Sequence, residues 1–339
     1  MRIIALVKRI VLQLVRDKRT LALLFVAPLL ILTLMHFLFT SNEATQTIGV
    51  VGANNEIIDG LVEQDFEVVN IEKSGNLKQV VVKKELDGLL SFEEEKLTLT
   101  LENTDPSQSK MLQGKIQQVL SPTLNGPVID IAYVYGSEDT TFFDVLSPIL
   151  VGFFVFFFVF LISGIGLLRE RTTGTLERLL STPIKRWEIV FGYLLGYGLF
   201  AIIQTIIVVL YAVNVLDMVL LGSIWDVLIT NGLIALVALS LGILLSSFAA
   251  SEFQMIQFIP LVIIPQVFFT GIIPIGGMPD WLQSLSKIMP ISYGANALKS
   301  VMYQGHGLSD VRLELMMLVG FAVVFIVLNI IALKKHRKK

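Results

Sequence analysis

Six long runs of apolar residues constrain the fold of this chain more than any other feature. None of them contains Asp, Glu, Lys or Arg, and they lie at 21–39, 145–168, 189–216, 227–251, 253–279 and 315–333. An α-helix rises about 1.5 Å per residue, so roughly 20 residues cross the ~30 Å hydrocarbon core of a bilayer. The runs therefore predict a polytopic α-helical membrane protein with six transmembrane helices.

Composition excludes most other classes of protein. Hydrophobic residues make up 54% of the 339 positions and charged residues only 16%, which argues against disorder, collagen and coiled coil. There is no cysteine, so disulfides, thiolate metal sites and cysteine nucleophiles are excluded. The sequence also lacks a phosphate-binding loop and the H-E-x-x-H spacing. We expect no catalytic site, no metal or cofactor bound by this chain, and no nucleic-acid partner.

Basic residues indicate the orientation of the predicted helices. Six Lys or Arg precede the first run, five lie in the loop 169–188 between the second and third runs, and five lie in the tail 334–339. Short cytoplasmic loops of membrane proteins are enriched in these residues. We therefore expect both termini of this multi-pass protein to lie in the cytoplasm. The membrane itself is expected to be a bacterial plasma membrane.

The segment 41–141 has a different composition and is predicted to form an inserted extracytoplasmic domain between transmembrane helices one and two. It carries 17 acidic and 7 basic residues, against 11 and 19 in the rest of the chain. Strand-like patterns occur at 47–51, 66–71, 88–92 and 97–101, and helix-like patterns at 77–85 and 107–120, which indicates an α/β or α+β module. Its carboxylates, such as those at 93–95, either form a solvated acidic surface or bind cations, and the first reading is favoured.

These patterns divide the chain into four parts. They are a cytoplasmic amphipathic segment at 1–19, the first transmembrane helix at 20–40, the extracytoplasmic domain at 41–141, and the remaining five transmembrane helices at 142–339. Within the first part, the two halves of a helical wheel over residues 2–16 differ. The polar half holds Arg2, Lys8, Arg9, Gln13 and Arg16, and the apolar half holds Ile3, Ile4, Val7, Ile10, Val11 and Leu14. Such a helix is expected to lie in the membrane interface.

The predicted transmembrane helices contain neutral polar residues but no charged ones. We consider six of them candidates either to line a pathway or to bridge helices by hydrogen bonds, with bridging favoured: Gln204, Asn214, Asn231, Gln257, Gln266 and Asn329. Gly192-x-x-x-Gly196 permits close helix contact, either in a dimer or, as we favour, within one subunit. The eight Phe between positions 142 and 160 are expected to face mostly lipid, with some of them as candidates to line an apolar substrate path.

The loop 169–188 carries a short helical pattern. Leu176, Leu179 and Leu180 share one face, Thr173 or Thr175 is predicted to cap the helix, and Pro183 to stop it. An exposed leucine edge on this helix suits docking into a partner protein. The alternative is that the leucines pack back onto the membrane part.

This loop and the carboxyl half carry a family resemblance. The relevant motifs, in order, are Gly174-Thr175-Leu176-Glu177-x-Leu179-Leu180-x-x-Pro183-Ile184, Ser251-x-x-Gln254, Gly271-x-x-Pro274, Met278-Pro279-x-Trp281-Leu282 and Pro290-Ile291-Ser292-Tyr293. Together they resemble the type-2 ABC transporter permeases, the membrane subunits of ABC exporters, in the subgroup with a large domain after the first span.

The resemblance implies several assignments for this chain. The loop 169–188 would be a coupling helix seated on a separate ABC ATPase subunit, which would bind ATP and magnesium. Two permease subunits, identical or related, would pair within the membrane lipid, and 274–305 would be a re-entrant region. The implied ATPase contacts are Glu170, Gly174, Thr175, Leu176, Glu177, Leu179 and Leu180. The re-entrant region is marked by Gly271, Pro274, Pro279 and Pro290.

The function implied by the resemblance is export of an amphipathic or lipid-like compound such as a drug, an antibiotic or a peptide. Sodium efflux and export of a cell-envelope glycolipid fit the same architecture. A membrane sensor or scaffold without transport activity is a different class of function, in which the outer domain binds a ligand and the cytoplasmic loop recruits a partner. Four further spans with Pro and Gly breaks favour a transport pathway over a sensor.

Overall fold

The computed structural model describes residues 2–40, 47–53, 55–64, 66–71, 80–81, 83–84, 86–93, 96–101, 112–117, 119, 142–272 and 279–336. The chain divides into two compact units. One is Met1–Phe39 together with Val134–Lys339, and the other is Thr40–Tyr133.

The first unit is helical. Its helices are α1 (Arg2–Arg16), α2 (Lys18–Thr40), α4 (Phe142–Thr172), α5 (Thr175–Leu180), α6 (Arg186–Asn214), α7 (Ile224–Ser246), α8 (Glu252–Phe268), α9 (Asp280–Ser286), α10 (Pro290–Met302) and α11 (Arg312–His336). Among the described residues, five of them are long and apolar enough to cross a membrane, namely α2, α4, α6, α7 and α11. The chain is therefore a helical membrane protein with five candidate spans.

The run at 253–279 does not form one continuous helix as expected. Its helix, α8, has 17 residues, which corresponds to about 25 Å and is short of the ~30 Å hydrocarbon core. Phe269 closes α8, and Gly271 follows with φ of +91°, a conformation that no α-helix contains. A lack of charge shows that a segment can enter a membrane, but it does not show where the helix ends. The count of six spans is not confirmed by these helices.

Helix α4 forms the centre of the helical unit. Of its apolar stretch 83% is buried, compared with 17% for α2 and for α11. The expectation that the phenylalanines of α4 face lipid is wrong, because five of the eight are buried within this unit. These five are Phe143, Phe154, Phe156, Phe158 and Phe160.

Glycines set the tight contact between α4 and α7. A Cβ added to Gly242 of α7 would lie 2.5 Å from the carbonyl oxygen of Phe160 and 3.2 Å from the backbone nitrogen of Gly164. No side chain larger than hydrogen fits between these backbones. The small residues therefore let α4 and α7 approach closely, as is common between membrane helices.

The Gly192-x-x-x-Gly196 face receives α1 of the same chain. Leu6 covers Gly192, and a Cβ on Gly196 would lie 2.9 Å from Cβ of Ile10. This confirms the within-subunit reading of the motif and corrects the predicted apolar face of α1. The side chains that α1 buries are those of Leu6, Ile10 and Leu14, while Ile4 is 73% exposed.

The second unit is built around a four-stranded mixed sheet in the order β2-β1-β3-β4. Its strands are β1 (Thr47–Val51), β2 (Glu67–Asn70), β3 (Gly88–Glu93) and β4 (Lys96–Leu101). β1 pairs in parallel with β2 and β3, and β3 pairs with β4 in an antiparallel hairpin. All four predicted strands are confirmed, which establishes the mixed α and β content of this unit.

The helices of the second unit were only partly foreseen. Helix α3 (Asn55–Glu63) joins β1 to β2 and was not predicted; it is the crossover that two parallel strands require. Residues 112–117 are helical, within the predicted 107–120, and so are residues 80, 81 and 83, within the predicted 77–85. Of the acidic triplet 93–95, positions 94 and 95 lie outside the described residues. The part of the chain that is described contains no group of three His, Cys, Asp or Glu arranged to hold a metal ion.

Candidate functional site

The hairpin between α4 and α6 is the first part of the candidate site. Helix α4 ends at Thr172, and Gly174 turns the chain with φ of +70°, a left-handed conformation that glycine adopts without strain. Gly174 precedes α5 without a side-chain cap, so the predicted capping by Thr173 or Thr175 is wrong. Thr173 instead donates its hydroxyl to the carbonyl of Arg169 at 2.7 Å. The helix ends at Leu180, before Pro183.

The leucines of α5 face the protein and not the solvent. Leu176 is 2% exposed and lies beside Leu167 of α4 and Ile189 of α6. Leu179 and Leu180 are half-buried against the same core. The predicted exposed leucine edge is therefore wrong, and the alternative, in which the leucines pack back, is the one observed. A row of polar side chains remains exposed on the hairpin: Thr172, Thr173, Glu177, Arg178, Ser181 and Thr182.

Glu170 lies inside the protein, although it was grouped with the surface contacts. Its carboxylate is 2% exposed and accepts a hydrogen bond from the guanidinium of Arg9 at 2.8 Å. The hydroxyl of Tyr193 donates to the same carboxylate oxygen at 3.2 Å and accepts from Arg9 at 3.2 Å. A buried carboxylate is stable only when it is paired and hydrogen-bonded. Glu170 thus joins α4 to α1 and α6, and its burial does not fit direct contact with another protein.

The two arginines beside Glu170 bind further elements. Arg169 donates to Glu252, at the start of α8, at 2.8 Å and to Asp17, between α1 and α2, at 3.2 Å. Arg171 donates to the carbonyls of Ser246 and Ala249, at the end of α7. We call these three consecutive residues the 169–171 junction. It connects the end of α4, from which the hairpin emerges, to α1, α6, α7, α8 and the α1–α2 link.

Asp17 is the residue that links α1 and α2. Its carboxylate accepts from the backbone nitrogen of Thr20 at 3.1 Å and from the Thr20 hydroxyl at 2.6 Å, which caps the start of α2. The hydrogen bond from the Thr20 hydroxyl has the largest effect and lowers the pKa of Asp17, and the bond from the Thr20 backbone nitrogen lowers it further. The charge of Arg169 acts in the same direction. Asp17 is therefore a carboxylate at neutral pH.

The six polar candidates of the membrane helices differ in their surroundings. Gln266 bridges helices, since its side-chain oxygen accepts from the backbone nitrogen of Ile291 in α10 at 3.4 Å. Asn214 bonds to Leu210 of its own helix, and Gln257 is exposed on α8.

Gln204 and Asn231 form no bridge between helices in the described part of the chain, contrary to the favoured expectation. Both are fully buried, and neither side-chain amide has a hydrogen-bond partner among the described residues. An unpaired buried polar group costs about 1–3 kcal/mol. Asn329 does bridge helices, as expected, donating to the carbonyl of Ser240 in α7 at 2.8 Å.

The predicted re-entrant region is described in part. Pro279 precedes α9, and Pro290 is the first residue of α10, where its missing N–H is tolerated. α10 has 13 residues, too few to cross a bilayer. It is nonetheless buried, with Leu298 against Gly152 of α4 and Gly294 against Ile234 of α7. Pro274 lies outside the described residues.

The helical unit, its 169–171 junction and the hairpin between α4 and α6 can be compared with known proteins. The sequence profile of the family described as "ABC-2 family transporter protein" matches residues 18–331. The chain belongs to the ABC-2 transporter family. This agrees with the resemblance drawn from the hairpin and proline motifs.

Individual relatives are identical to this ABC-2 chain at about one residue in four. "ABC transporter G family member 20" of Dictyostelium discoideum is 25% identical over 302 residues, which cover 88% of this chain and 41% of that protein. "Inner membrane transport permease YhhJ" of Escherichia coli K12 is 27% identical over 176 residues, 51% of this chain and 47% of that protein. "Probable multidrug ABC transporter permease YbhS" of the same organism is 26% identical over 178 residues, 52% and 47% respectively. The ABC-2 chain spans less than half the length of each relative.

Sequence reasoning missed most of the residues that hold the ABC-2 hairpin in place. Arg9 was treated as a surface charge, Tyr193 was not singled out, and Arg169 and Arg171 were counted only as topology signals. One signal was present in the sequence. The three consecutive charged residues 169–171 follow an apolar run and lie where the membrane-spanning part of α4 ends. Such residues need ion-pair or hydrogen-bond partners within the protein.

Proposed function

We propose that this ABC-2 chain is the permease subunit of an ATP-driven exporter, and that its hairpin receives a separate ATPase subunit. The chain itself would bind no nucleotide, and ATP and magnesium would be held by the partner. The observation that carries the proposal is the arrangement of α5, which buries Leu176 in the helical unit and keeps Glu177 and Arg178 exposed. The outer surface of α5 is polar and charged. A partner that binds there and then moves would therefore leave no apolar patch exposed to water.

The hairpin contacts proposed here differ from the original set of seven. Glu177 would contact the ATPase directly, together with its exposed neighbour Arg178. Gly174 and Thr175 would shape the turn, while Leu176, Leu179 and Leu180 would anchor α5 from below. Glu170 would act from inside the 169–171 junction.

Transmission of movement would follow the packing of the hairpin. Displacement of α5 by the ATPase would act on α4 and α6 through Leu176, and on α1, α7 and α8 through the 169–171 junction. Closely packed elements shift as rigid bodies more readily than they deform. Movement at the hairpin would therefore tilt several helices together, converting an inward-facing pathway to an outward-facing one.

The arrangement in the membrane is part of the proposal. Both termini and the hairpin would lie in the cytoplasm of a bacterial cell, and 41–141 would lie outside. The segment 253–279 would be the sixth membrane segment, with α8 crossing most of the bilayer, and 274–305 would be re-entrant. The short buried helix α10 supports the last assignment, since irregular backbone at membrane depth needs a covering of protein or a wet cavity.

Pairing of two permease subunits is supported by α8. Its exposed stripe carries Gln257 beside Phe253 and Leu261, which are 70% and 69% exposed. An amide facing hydrocarbon finds no hydrogen-bond partner. We infer that a second subunit or a water-filled pathway covers this stripe.

The cargo would be an amphipathic compound such as a drug, antibiotic or peptide, in line with the multidrug name of one relative.

Cysteine cross-linking tests the docking of the ATPase, because the chain has no cysteine of its own. Glu177→Cys, carried by the full chain and expressed with a candidate ABC ATPase subunit, should cross-link to that subunit. The matched control is Trp225→Cys, at the other end of the helical unit, where the side chain is 70% exposed. It should not cross-link. Equal yields at the two positions, or none at position 177, would contradict the assignment of the hairpin.

A further inference from the structure

A cavity of about 260 Å³ lies where α1 meets α2, beside α4. One side of it is polar and is lined by Gln13, Asp17, Arg19 and Arg169. The other side is apolar and includes Leu23 of α2 and Ile165 of α4. We call this space the elbow cavity. None of the roles proposed above makes use of it.

The charges around the elbow cavity favour an anion. Asp17 is already engaged by Thr20 and Arg169, and Arg169 is also bound to Glu252, which does not line the cavity. Arg19 forms no ion pair with any acidic side chain in the described part of the chain. Its guanidinium is thus the cation at this site that is left to bind a negatively charged group. Planar guanidinium groups bind phosphate oxygens well, often through two parallel hydrogen bonds.

The position of the cavity indicates an amphiphile as the ligand. Arg19 and Arg169 stand near the ends of two candidate spans, Lys18–Leu38 and Phe143–Thr172, whereas Leu23 and Ile165 lie further along them. Leu23 is 43% exposed on the outside of the helical unit. A molecule with a charged head at the bilayer surface and a chain directed into the hydrocarbon would match both sides. The volume is below the roughly 300–1,000 Å³ of sites that enclose a whole small molecule, so it suits a head group and the start of one chain.

We propose that the elbow cavity binds an anionic phospholipid from the leaflet at this end of the helices, with its phosphate on Arg19 and its chain along Leu23 and Ile165. The bound lipid would hold the angle between α1 and α2 and, through Asp17 and Arg169, the 169–171 junction. This lipid would be a resident of the protein and not its cargo. The proposal therefore stands or falls independently of export.

Native mass spectrometry of the purified full chain tests the proposal. Delipidated protein in detergent would be titrated with phosphatidylglycerol and, separately, with zwitterionic phosphatidylcholine. We expect one phosphatidylglycerol to be retained, with phosphatidylcholine retained at least tenfold more weakly. Arg19→Gln should weaken phosphatidylglycerol binding about tenfold, equivalent to ~1.4 kcal/mol. No retention of phosphatidylglycerol by the unaltered protein would overturn the proposal.

Lys18→Gln is the matched control. It removes one exposed cation at the neighbouring position, but Lys18 does not line the cavity. Basic residues near a membrane surface attract anionic lipid even where no binding site is present. Such general attraction would make the two substitutions equivalent, and equal losses would overturn the proposal. A loss confined to Arg19→Gln supports it.

Glycerol phosphate and inorganic phosphate separate the head group from the lipid. Both carry the anion without a chain, so neither should displace phosphatidylglycerol at equal concentration if Leu23 and Ile165 hold the chain. If either compound displaced phosphatidylglycerol as effectively as a second phospholipid does, the apolar wall would contribute nothing to binding. The lipid assignment would then be wrong.

Discussion

Removing the guanidinium of Arg9 should destabilise the protein more than removing any nearby exposed charge. In Arg9→Met, the carboxylate of Glu170 would stay 2% exposed with Tyr193 as its remaining hydrogen-bond donor among the described residues. Breaking a buried ion pair in this way costs about 3–5 kcal/mol. The side chain of Arg9 is 33% exposed, so water can replace part of the lost interaction. We therefore expect a loss of about 2 kcal/mol in the free energy of unfolding, a roughly 30-fold change in the equilibrium constant.

A double-mutant cycle isolates the pair. The free energy of unfolding would be measured by SDS titration of purified protein for Arg9→Met, Glu170→Gln and the double variant. Because neutralising both partners leaves no buried charge, the double variant should recover at least half of the loss seen in Arg9→Met. Lys8→Met, which changes the exposed cation next to Arg9, should alter stability by less than about 0.5 kcal/mol. Additive effects in the cycle, or equal effects of Arg9→Met and Lys8→Met, would refute the buried-pair reasoning.

Two further predictions concern α1 and its link to α2. Gly196→Ala should lower the midpoint of thermal unfolding, because its Cβ would lie 2.9 Å from Ile10. Gly198→Ala is the control and should be tolerated, because the nearest neighbour of its Cβ, Leu239, is at 3.6 Å. Equal midpoints for the two variants would contradict the packing of α1 on α6. The pKa of Asp17 is lowered in the folded protein, so its stabilising contribution is complete above the unfolded value of about 3.9 and is lost as pH falls through the folded value. The difference in unfolding midpoint between the unaltered protein and Asp17→Asn should therefore be constant from about pH 5.5 to 8 and should shrink below about pH 4. A difference that varies between pH 6 and 8 would contradict this assignment.

The elements set by local pattern were predictable from the sequence. The four strands alternate or are rich in β-branched residues, and the amphipathic start formed a helix at Arg2–Arg16 as expected. Where the structure departs from expectation, local pattern alone could not decide the outcome. A run without charges cannot reveal that Gly271 turns the chain, and a leucine stripe on α5 does not show which neighbour covers it.

The 169–171 junction could not be assembled from the sequence alone. Arg9 and Glu170 are 161 residues apart, and Glu170 and Tyr193 are 23 apart. Their meeting depends on α1 lying along α6, which in turn depends on Gly192 and Gly196 offering a groove for Leu6 and Ile10. The glycine motif was visible, but two partners for it were possible. Tertiary packing, and not local propensity, decided between them.

Protection of α5 from a thiol reagent tests the central claim most directly. Cysteines at positions 176 and 177 would be introduced one at a time, in the full chain, and labelled with a membrane-impermeant maleimide in inside-out vesicles, with and without the ATPase subunit. The account predicts fast labelling of Glu177→Cys that the ATPase suppresses, and slow labelling of Leu176→Cys in both conditions, since Leu176 is 2% exposed. Labelling of Glu177→Cys that is unchanged by the ATPase would contradict the account.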